Sequence, residues 1–225
     1  MQGTLSIVAT PIGNLEDITL RAIRTLKEVD YILCEDTRVT GKLLKHYEID
    51  TKMKRYDAHA SERVHEEVLR DLEDGKHIAL VSDAGTPGVS DPGVLLVTRA
   101  REAGVCIDAI PGPSAVTAAF SIAGVVGNQF SFLGFAPQKK GRKTFFAELT
   151  EVEIPVIFFE STHRIMKTLE SLVSNLSKDR EVIVAREITK MHEEVVRGSA
   201  QEVLAYFEEH KDHQRGEFVV IVANK

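Results

Sequence analysis

Residues 78–93 read IALVSDAGTPGVSDPG, an apolar run that breaks at once into a polar loop and then into a helix start. Ile78 to Ser82, flanked by His77 and Asp83, has the look of a strand buried on both faces. The loop carries Gly85, Pro87 and Gly88, and it ends in Asp91-Pro92, an N-cap followed by the residue best suited to a first helical turn. Strand, rigid loop and helix therefore follow one another. In open α/β sheets ligands sit against loops of this kind, at the carboxyl ends of strands. An ordinary tight connection is the plainer reading of a Gly/Pro loop. This one is longer than such turns usually are, and it places Asp83, Thr86, Ser90 and Asp91 where a plain turn needs few polar side chains.

The charge of the loop limits what it can hold. A phosphate cradle offers backbone N–H groups and a lysine, whereas carboxylates here would repel an anion. The chain contains no GxxxxGK[ST] and no GxGxxG run. A ligand with a ribose, an amino group and no phosphate fits better, and S-adenosylmethionine is one such molecule.

At 225 residues, 43% hydrophobic and 28% charged, the chain has the composition of a soluble globular protein of one or two domains. No run is long enough to cross a bilayer, and the opening Thr4 to Ala9 segment is too short and too weakly basic for a signal peptide. The two cysteines, Cys34 and Cys106, each lie in an apolar run and read as reduced core residues of a cytoplasmic protein. The eight histidines show no metal-binding spacing, so no metal is expected. A net charge of -6 argues mildly against a nucleic-acid partner.

Short apolar runs alternate with helical patterns, which predicts parallel strands joined by crossover helices. Leu5 to Ala9 ends in a second Pro/Gly loop, Thr10 to Asn14, and the helix after it is expected to bury Leu20, Ile23 and Leu26 on one face. Tyr31 to Cys34 runs straight into Glu35, Asp36, Thr37 and Arg38, which is either a solvated turn or a site. Cys106 to Ala109 ends in Ile110 to Ser114, with Ser114 placed to cap a helix from Ala115 to Ile122. Five of the seven prolines, Pro11, Pro87, Pro92, Pro111 and Pro113, fall in three strand-end loops, as a preorganised pocket requires. The glycine-rich stretch 123–128 marks a boundary, giving an N-terminal α/β domain over 1–123 and a C-terminal α/β domain over 124–225. The second half holds the densest basic segment, Lys139 to Lys143. Its strand Val156 to Phe159 runs into Glu160-Ser161-Thr162-His163-Arg164, and its last strands are expected to form a mixed sheet.

TPIGNL (Thr10 to Leu15), EDTR (Glu35 to Arg38), SDAGTPGVSDPG (Ser82 to Gly93), PGPSA (Pro111 to Ala115), FFESTHR (Phe158 to Arg164) and AREITK (Ala185 to Lys190) occur in order along nearly the whole chain. Together they resemble the tetrapyrrole methylase superfamily and, within it, the small-subunit ribosomal RNA cytidine-2'-O-methyltransferases. The resemblance implies a two-domain α/β fold, mainly parallel in the first sheet and mixed in the second. It also implies a homodimer that binds S-adenosylmethionine in a cleft between its domains and methylates a ribose 2'-hydroxyl of ribosomal RNA. The cofactor contacts it implies are Pro11, Asp83, Thr86 and Ser90, then Ser114 and Ala115, with Phe159 and Ile188 from the second domain.

Two departures stand out. Asp57-Ala58-His59-Ala60 replaces the family's His-x-His-Asn, which weakens a catalytic role for that turn. Many members also continue into a small helical domain, so any RNA docking that such an extension supplies is expected to be missing.

A sugar hydroxyl is a poor nucleophile until its proton is drawn away, and a positioned base adds about 10²- to 10⁴-fold. Glu35, Asp36, Glu160, Glu187 and Lys190 are the candidates. Glu35 and Asp36 rank first, with Arg38 gripping a phosphate or orienting them; a local ion-paired turn of Glu35, Asp36 and Arg38 is almost as good a reading. Lys139 to Lys143 either contacts RNA phosphates or is a basic surface loop. A small-molecule methyltransferase of tetrapyrrole type and a non-catalytic RNA-binding module are the alternatives.

Overall fold

The computed structural model describes residues 3–57, 60–90 and 93–225. Ala58, His59 and the Asp91-Pro92 helix start lie outside the described residues. The chain forms two compact units, residues 1–114 and 115–225.

In the first unit, strands β1 (Thr4–Val8), β2 (Tyr31–Cys34), β3 (Met53–Arg55), β4 (His77–Leu80) and β5 (Cys106–Ile110) alternate with helices α1 (Leu20–Glu28), α2 (Thr37–His46), α3 (Glu62–Glu73) and α4 (Gly93–Glu102). The strands pair in the order β3-β2-β4-β1-β5, all parallel. Side chains alternate between two cores, as the pleat demands. Ile32, Cys34, Ala79 and Val81 face α1 and α2, which contribute Ala22, Leu26, Leu43 and Leu44. Tyr31, Leu33, Ile78 and Leu80 face α3 and α4 through Val68, Leu72, Leu96 and Ala100.

This arrangement has a consequence at one edge. From β1 the chain leaves for β2 by a helix on one face, and from neighbouring β4 it leaves for β5 by a helix on the other. The connections therefore part between β1 and β4, the kind of point in an open α/β sheet at which ligands bind beyond the carboxyl ends of the strands. The loops at that point are Thr10 to Asn14 and Val81 to Ser90.

In the second unit, β6 (Ser131–Phe135), β7 (Val156–Ser161), β8 (Glu181–Arg186), β9 (Glu194–Ser199) and β10 (Glu217–Val222) pair in the order β6-β7-β10-β8-β9. Only β6 and β7 run parallel, so the sheet is mixed, as the sequence predicts. Helices α6 (Arg142–Glu148), α7 (Ile165–Asn175) and α8 (Ala200–Glu209) cover one face and share a core with Val156, Phe158, Val182, Val184, Phe218, Val220 and Val222. Helix α5 (Ala115–Ile122) packs against β10 and so groups with the second unit. The division thus falls ahead of the glycine-rich stretch at which the sequence places it.

Two expectations about burial are corrected. Leu20 is 85% exposed, because α1 turns Ala22, Thr25 and Leu26 inward. Leu20 lies two residues before Ala22 and so about 200° around the helix from it. Cys106 is exposed, not core, since β5 is an edge strand; Cys34 is buried as predicted. No helix among the described residues is long and apolar enough to cross a membrane.

Candidate functional site

At the carboxyl edge of the first sheet, backbone hydrogen bonds lace the loops together. Thr10 N–H donates to Gly85 O at 2.9 Å and Gly85 N–H donates back to Thr10 O at 3.0 Å, joining the loops after β1 and β4. The Thr10 hydroxyl donates to Ser82 O at 3.0 Å. Gly85 holds φ +80, the left-handed region that favours glycine, and this conformation lets its backbone lie antiparallel to Thr10. The loop after β5 joins through Thr86, whose hydroxyl donates to Pro113 O at 3.2 Å. Gly112 lies close enough to β1 that an added Cβ would stand 3.0 Å from that of Ala9. The loop after β2 is tied in by Asp36 N–H, which donates to Asp83 Oδ1 at 3.1 Å.

Pro11, Asp83, Thr86, Ser90 and Ser114 belong to loops at one edge of one sheet. Pro11 is buried, Thr86 and Ser114 are half-buried, and Asp83 and Ser90 are exposed. Ser90 is held at φ +66, a left-handed conformation uncommon for a residue with a Cβ. Ala115 opens α5 and belongs to the second unit. The Thr10–Gly85 bridge was not foreseen, because a single antiparallel residue pair leaves no periodic trace in sequence.

Glu35 is half-buried at the end of β2. Asp36 is the N-cap of α2: its Oδ1 accepts Arg38 N–H at 2.8 Å, and its two oxygens accept the Arg38 guanidinium at 2.6 to 3.2 Å. The Arg38 guanidinium holds the Asp36 carboxyl well below the usual carboxylate range. Such a carboxylate is a poor proton acceptor near neutral pH. Asp36 and Arg38 thus form the ion-paired turn that the sequence leaves as the second reading.

The mixed sheet gathers a second set of loops. Strands β6, β7 and β8 end on one side, where Ser161 pairs with Glu217 and Arg186 with Phe218. Phe159 packs edge-on against Phe132 and Phe135, with ring centroids 4.9 and 5.3 Å away. Ile188 is buried in the turn after β8. Glu187 and Thr189 on either side of it are left-handed, at φ +50 and +66. Lys190 Nζ bridges Glu187 Oε1 and Glu217 Oε2, both at 2.9 Å. Burial pushes the Lys190 ammonium down, but the two carboxylates outweigh it and the net shift is upward. Lys190 is therefore held as an ion-paired cation in this turn.

Glu160 is likewise no free base. It is buried, with Arg164 at 2.8 Å, Arg142 at 3.6 Å and the Thr168 hydroxyl at 2.6 Å. Arg142 consequently leaves the basic segment, folding inward to Glu160, to Thr168 and to Pro137 O, while Lys139, Lys140 and Lys143 remain exposed.

The first edge offers a fixed carboxylate, hydroxyls and backbone carbonyls, and no lysine-bearing phosphate cradle. That donor set suits a cationic ligand that carries hydroxyls, and it fits a sulfonium nucleoside.

Residues 4–204 match the family model of Tetrapyrrole (Corrin/Porphyrin) Methylases. The chain is 44% identical over 223 residues to ribosomal RNA small subunit methyltransferase I of Thermotoga maritima, with 99% of each chain covered. It is 46% identical over 222 residues to the protein of the same name from Halalkalibacterium halodurans, covering 98% of this chain and 76% of that one. Among solved structures, diphthine synthase superposes with a TM-score of 0.77 at 13% identity, covering 99% of this chain and 90% of that one. A cobalt precorrin-4 methyltransferase gives 0.72 at 18%, covering 98% and 94%. At such identities these two structures speak for the fold alone.

Proposed function

The chain belongs to the tetrapyrrole methylase family, and from that premise we propose that it transfers a methyl group to the ribose 2'-hydroxyl of a cytidine in small-subunit ribosomal RNA. It is a methyltransferase, and S-adenosylmethionine is its methyl donor. The observation that carries the choice of substrate is the 44% identity along the full length of a ribosomal RNA methyltransferase. The solved precorrin methyltransferase shares 18%.

The donor, when bound, supplies a methyl group on a positively charged sulfur. The protein's task is to hold the attacking oxygen in line with that group, since positioning alone is worth roughly 7 to 11 kcal/mol in favourable cases. Asp83, Thr86 and Ser90, with Pro11 and Ser114, are the residues of the first unit that take the donor, with Asp83 accepting from its hydroxyls or amine. Ala115 follows at the head of α5. Phe159, half-buried near the end of β7, offers apolar surface for a nucleobase, and the buried Ile188 shapes the turn after β8. The new O–C bond forms as the C–S bond breaks, the sulfur leaves as a neutral thioether, and the hydroxyl proton passes to a base. Glu35, half-buried at the carboxyl end of β2, is that base in this reading.

Lys139, Lys140 and Lys143 reconcile a net charge of -6 with an RNA substrate. A local cluster of cations contacts phosphates whatever the overall charge. The reading carries with it a cytoplasmic enzyme and a homodimer. Ile122, Val126, Phe130, Leu133 and Phe135 are exposed apolar side chains of the second unit, available to a second copy. Light scattering at twice the mass of one chain tests that part.

The deciding experiment incubates the purified protein with methyl-labelled donor and small-subunit particles. Label should enter the RNA and resist base-specific release, and mass spectrometry should place it on a cytidine ribose. Absence of label from every ribosomal substrate overturns the reading.

A further inference from the structure

The ends of β2 and β4 bring two aspartates together, and the structure gives them unequal work. Asp36 engages both of its carboxylate oxygens with its own helix. Oδ1 takes Arg38 N–H at 2.8 Å and Arg38 Nε at 3.0 Å, while Oδ2 takes Arg38 Nη2 at 2.6 Å. The main chain of Asp36 faces the neighbouring strand instead, and its N–H donates to Asp83 Oδ1 at 3.1 Å. An N-cap residue holds an extended conformation because its side chain binds the first helical turn, and here φ is -118 and ψ 109. The direction in which the Asp36 N–H points is therefore set by the bonds of its own carboxylate.

We infer that Asp36 is a positioning residue, and that its carboxylate fixes the start of α2 so that its backbone N–H can orient the Asp83 carboxylate toward the methyl donor. The inference rests on the reading of Asp83 as a donor contact. Arg38 has a matching part. Two carboxylates at adjacent strand ends repel one another, and each disfavours ionisation of the other. A guanidinium clamped on Asp36 cancels that charge beside Asp83. The clamp is bidentate and planar, which a lysine cannot reproduce. Asp36 and Arg38 of EDTR then act as a bracket for the neighbouring loop.

The test measures binding of the donor and of its demethylated product by calorimetry on the full chain, together with kcat and donor KM on small-subunit particles. The variants are Asp36→Ala, Asp36→Asn and Asp83→Ala, with circular dichroism to confirm folding. Asp83→Ala should abolish measurable donor binding. Asp36→Ala should raise the donor Kd and KM about tenfold, the ratio given by a lost cap of ordinary strength, with kcat at saturating donor little changed. Asp36→Asn keeps an oxygen to accept Arg38 N–H and should recover most of that loss.

Three results overturn the inference. Loss of kcat by about 10²-fold or more in both Asp36 variants, with donor affinity intact, would make Asp36 the proton acceptor. Wild-type donor affinity in Asp36→Ala, with Asp83→Ala defective, would show that the link between the two aspartates carries nothing. Wild-type affinity in Asp83→Ala would remove the donor contact itself and the inference with it.

Discussion

Strands β2 and β7 are both buried and both run directly into charged residues, and the two places come out opposite. After β2 the acidic residues remain at the carboxyl edge, where Asp36 is half-buried and Asp83 of the neighbouring loop is exposed. After β7 the acidic residue is sealed, for the Glu160 side chain is 0% exposed and meets two guanidiniums and a hydroxyl. Strand parity makes the difference. Val156, Phe158 and Glu160 alternate onto the face that α6 and α7 cover, so the carboxylate follows two core residues inward. Strand β2 stops at Cys34, and Glu35 and Asp36 fall beyond its last paired residue, where both are half-buried. One edge keeps its acidic residues half-buried or exposed, and the other uses its charge to hold helices to a sheet.

Substitution should separate the two edges. Glu160→Ala leaves Arg142 and Arg164 without their carboxylate and should lower unfolding free energy by about 3–5 kcal/mol, read by chemical denaturation. Thr168→Val keeps the shape but removes the hydroxyl that donates to Glu160 at 2.6 Å and accepts from Arg142 at 2.8 Å. Its cost should be about 1.5–3 kcal/mol, because both partners are charged. A protein with either change that unfolds at the wild-type midpoint would show that the sealed edge is not what holds α6 and α7.

Much of this was legible beforehand. Alternating apolar runs and helical patterns gave a parallel first sheet and a mixed second one, because strands buried on both faces and strands joined by short turns differ in composition. The prolines and glycines of Thr10 to Asn14, Val81 to Ser90 and Pro111 to Ser114 placed three loops at one edge, since parallel strands put their carboxyl ends together. What could not be read depends on partners distant in sequence. Arg142 counted as one of a run of cations until Glu160 and Thr168, 18 and 26 residues away, drew it inward. Leu20 looked like part of a stripe because periodicity sets the spacing of a face, not its rotation against the sheet. The exposure of Cys106 follows from strand order, which no local pattern records.

A smaller effect probes the open edge. Gly85→Ala introduces a Cβ that meets Ile12 Cγ2 at 3.5 Å, an ordinary contact, so its penalty comes from φ +80 alone. That conformation costs a non-glycine residue about 1–2 kcal/mol. Because Gly85 bridges Thr10, the same change should also weaken donor binding, which Thr168→Val should leave nearly alone. Equal losses of donor affinity in the two variants would erase the distinction between the edges.

The smallest effect belongs to the turn after β8, where the second unit holds two non-glycine residues left-handed with ion pairs at their flank. Burial pushes the Glu187 carboxyl up, but its bond to Lys190 and the Glu217 backbone bond outweigh that and leave it below its ordinary value of 4.5. Lys190 is shifted above its ordinary 10.5. The Glu187 contribution is therefore complete above about pH 4.5 and lost as pH falls through the lower folded value. That of Lys190 is complete below about pH 10.5 and lost only as pH rises through the higher folded value. Both hold at neutral pH. Lys190→Met should thus cost only about 0.5 kcal/mol near pH 7, since Glu217 is 77% exposed and solvent screens the pair. On acidification the gap between variant and wild type should narrow, as the Glu187 carboxylate protonates and the lysine loses that partner. A gap that persists unchanged at pH 3 would mean that the ion pair with Glu187 is not what Lys190 contributes to this turn.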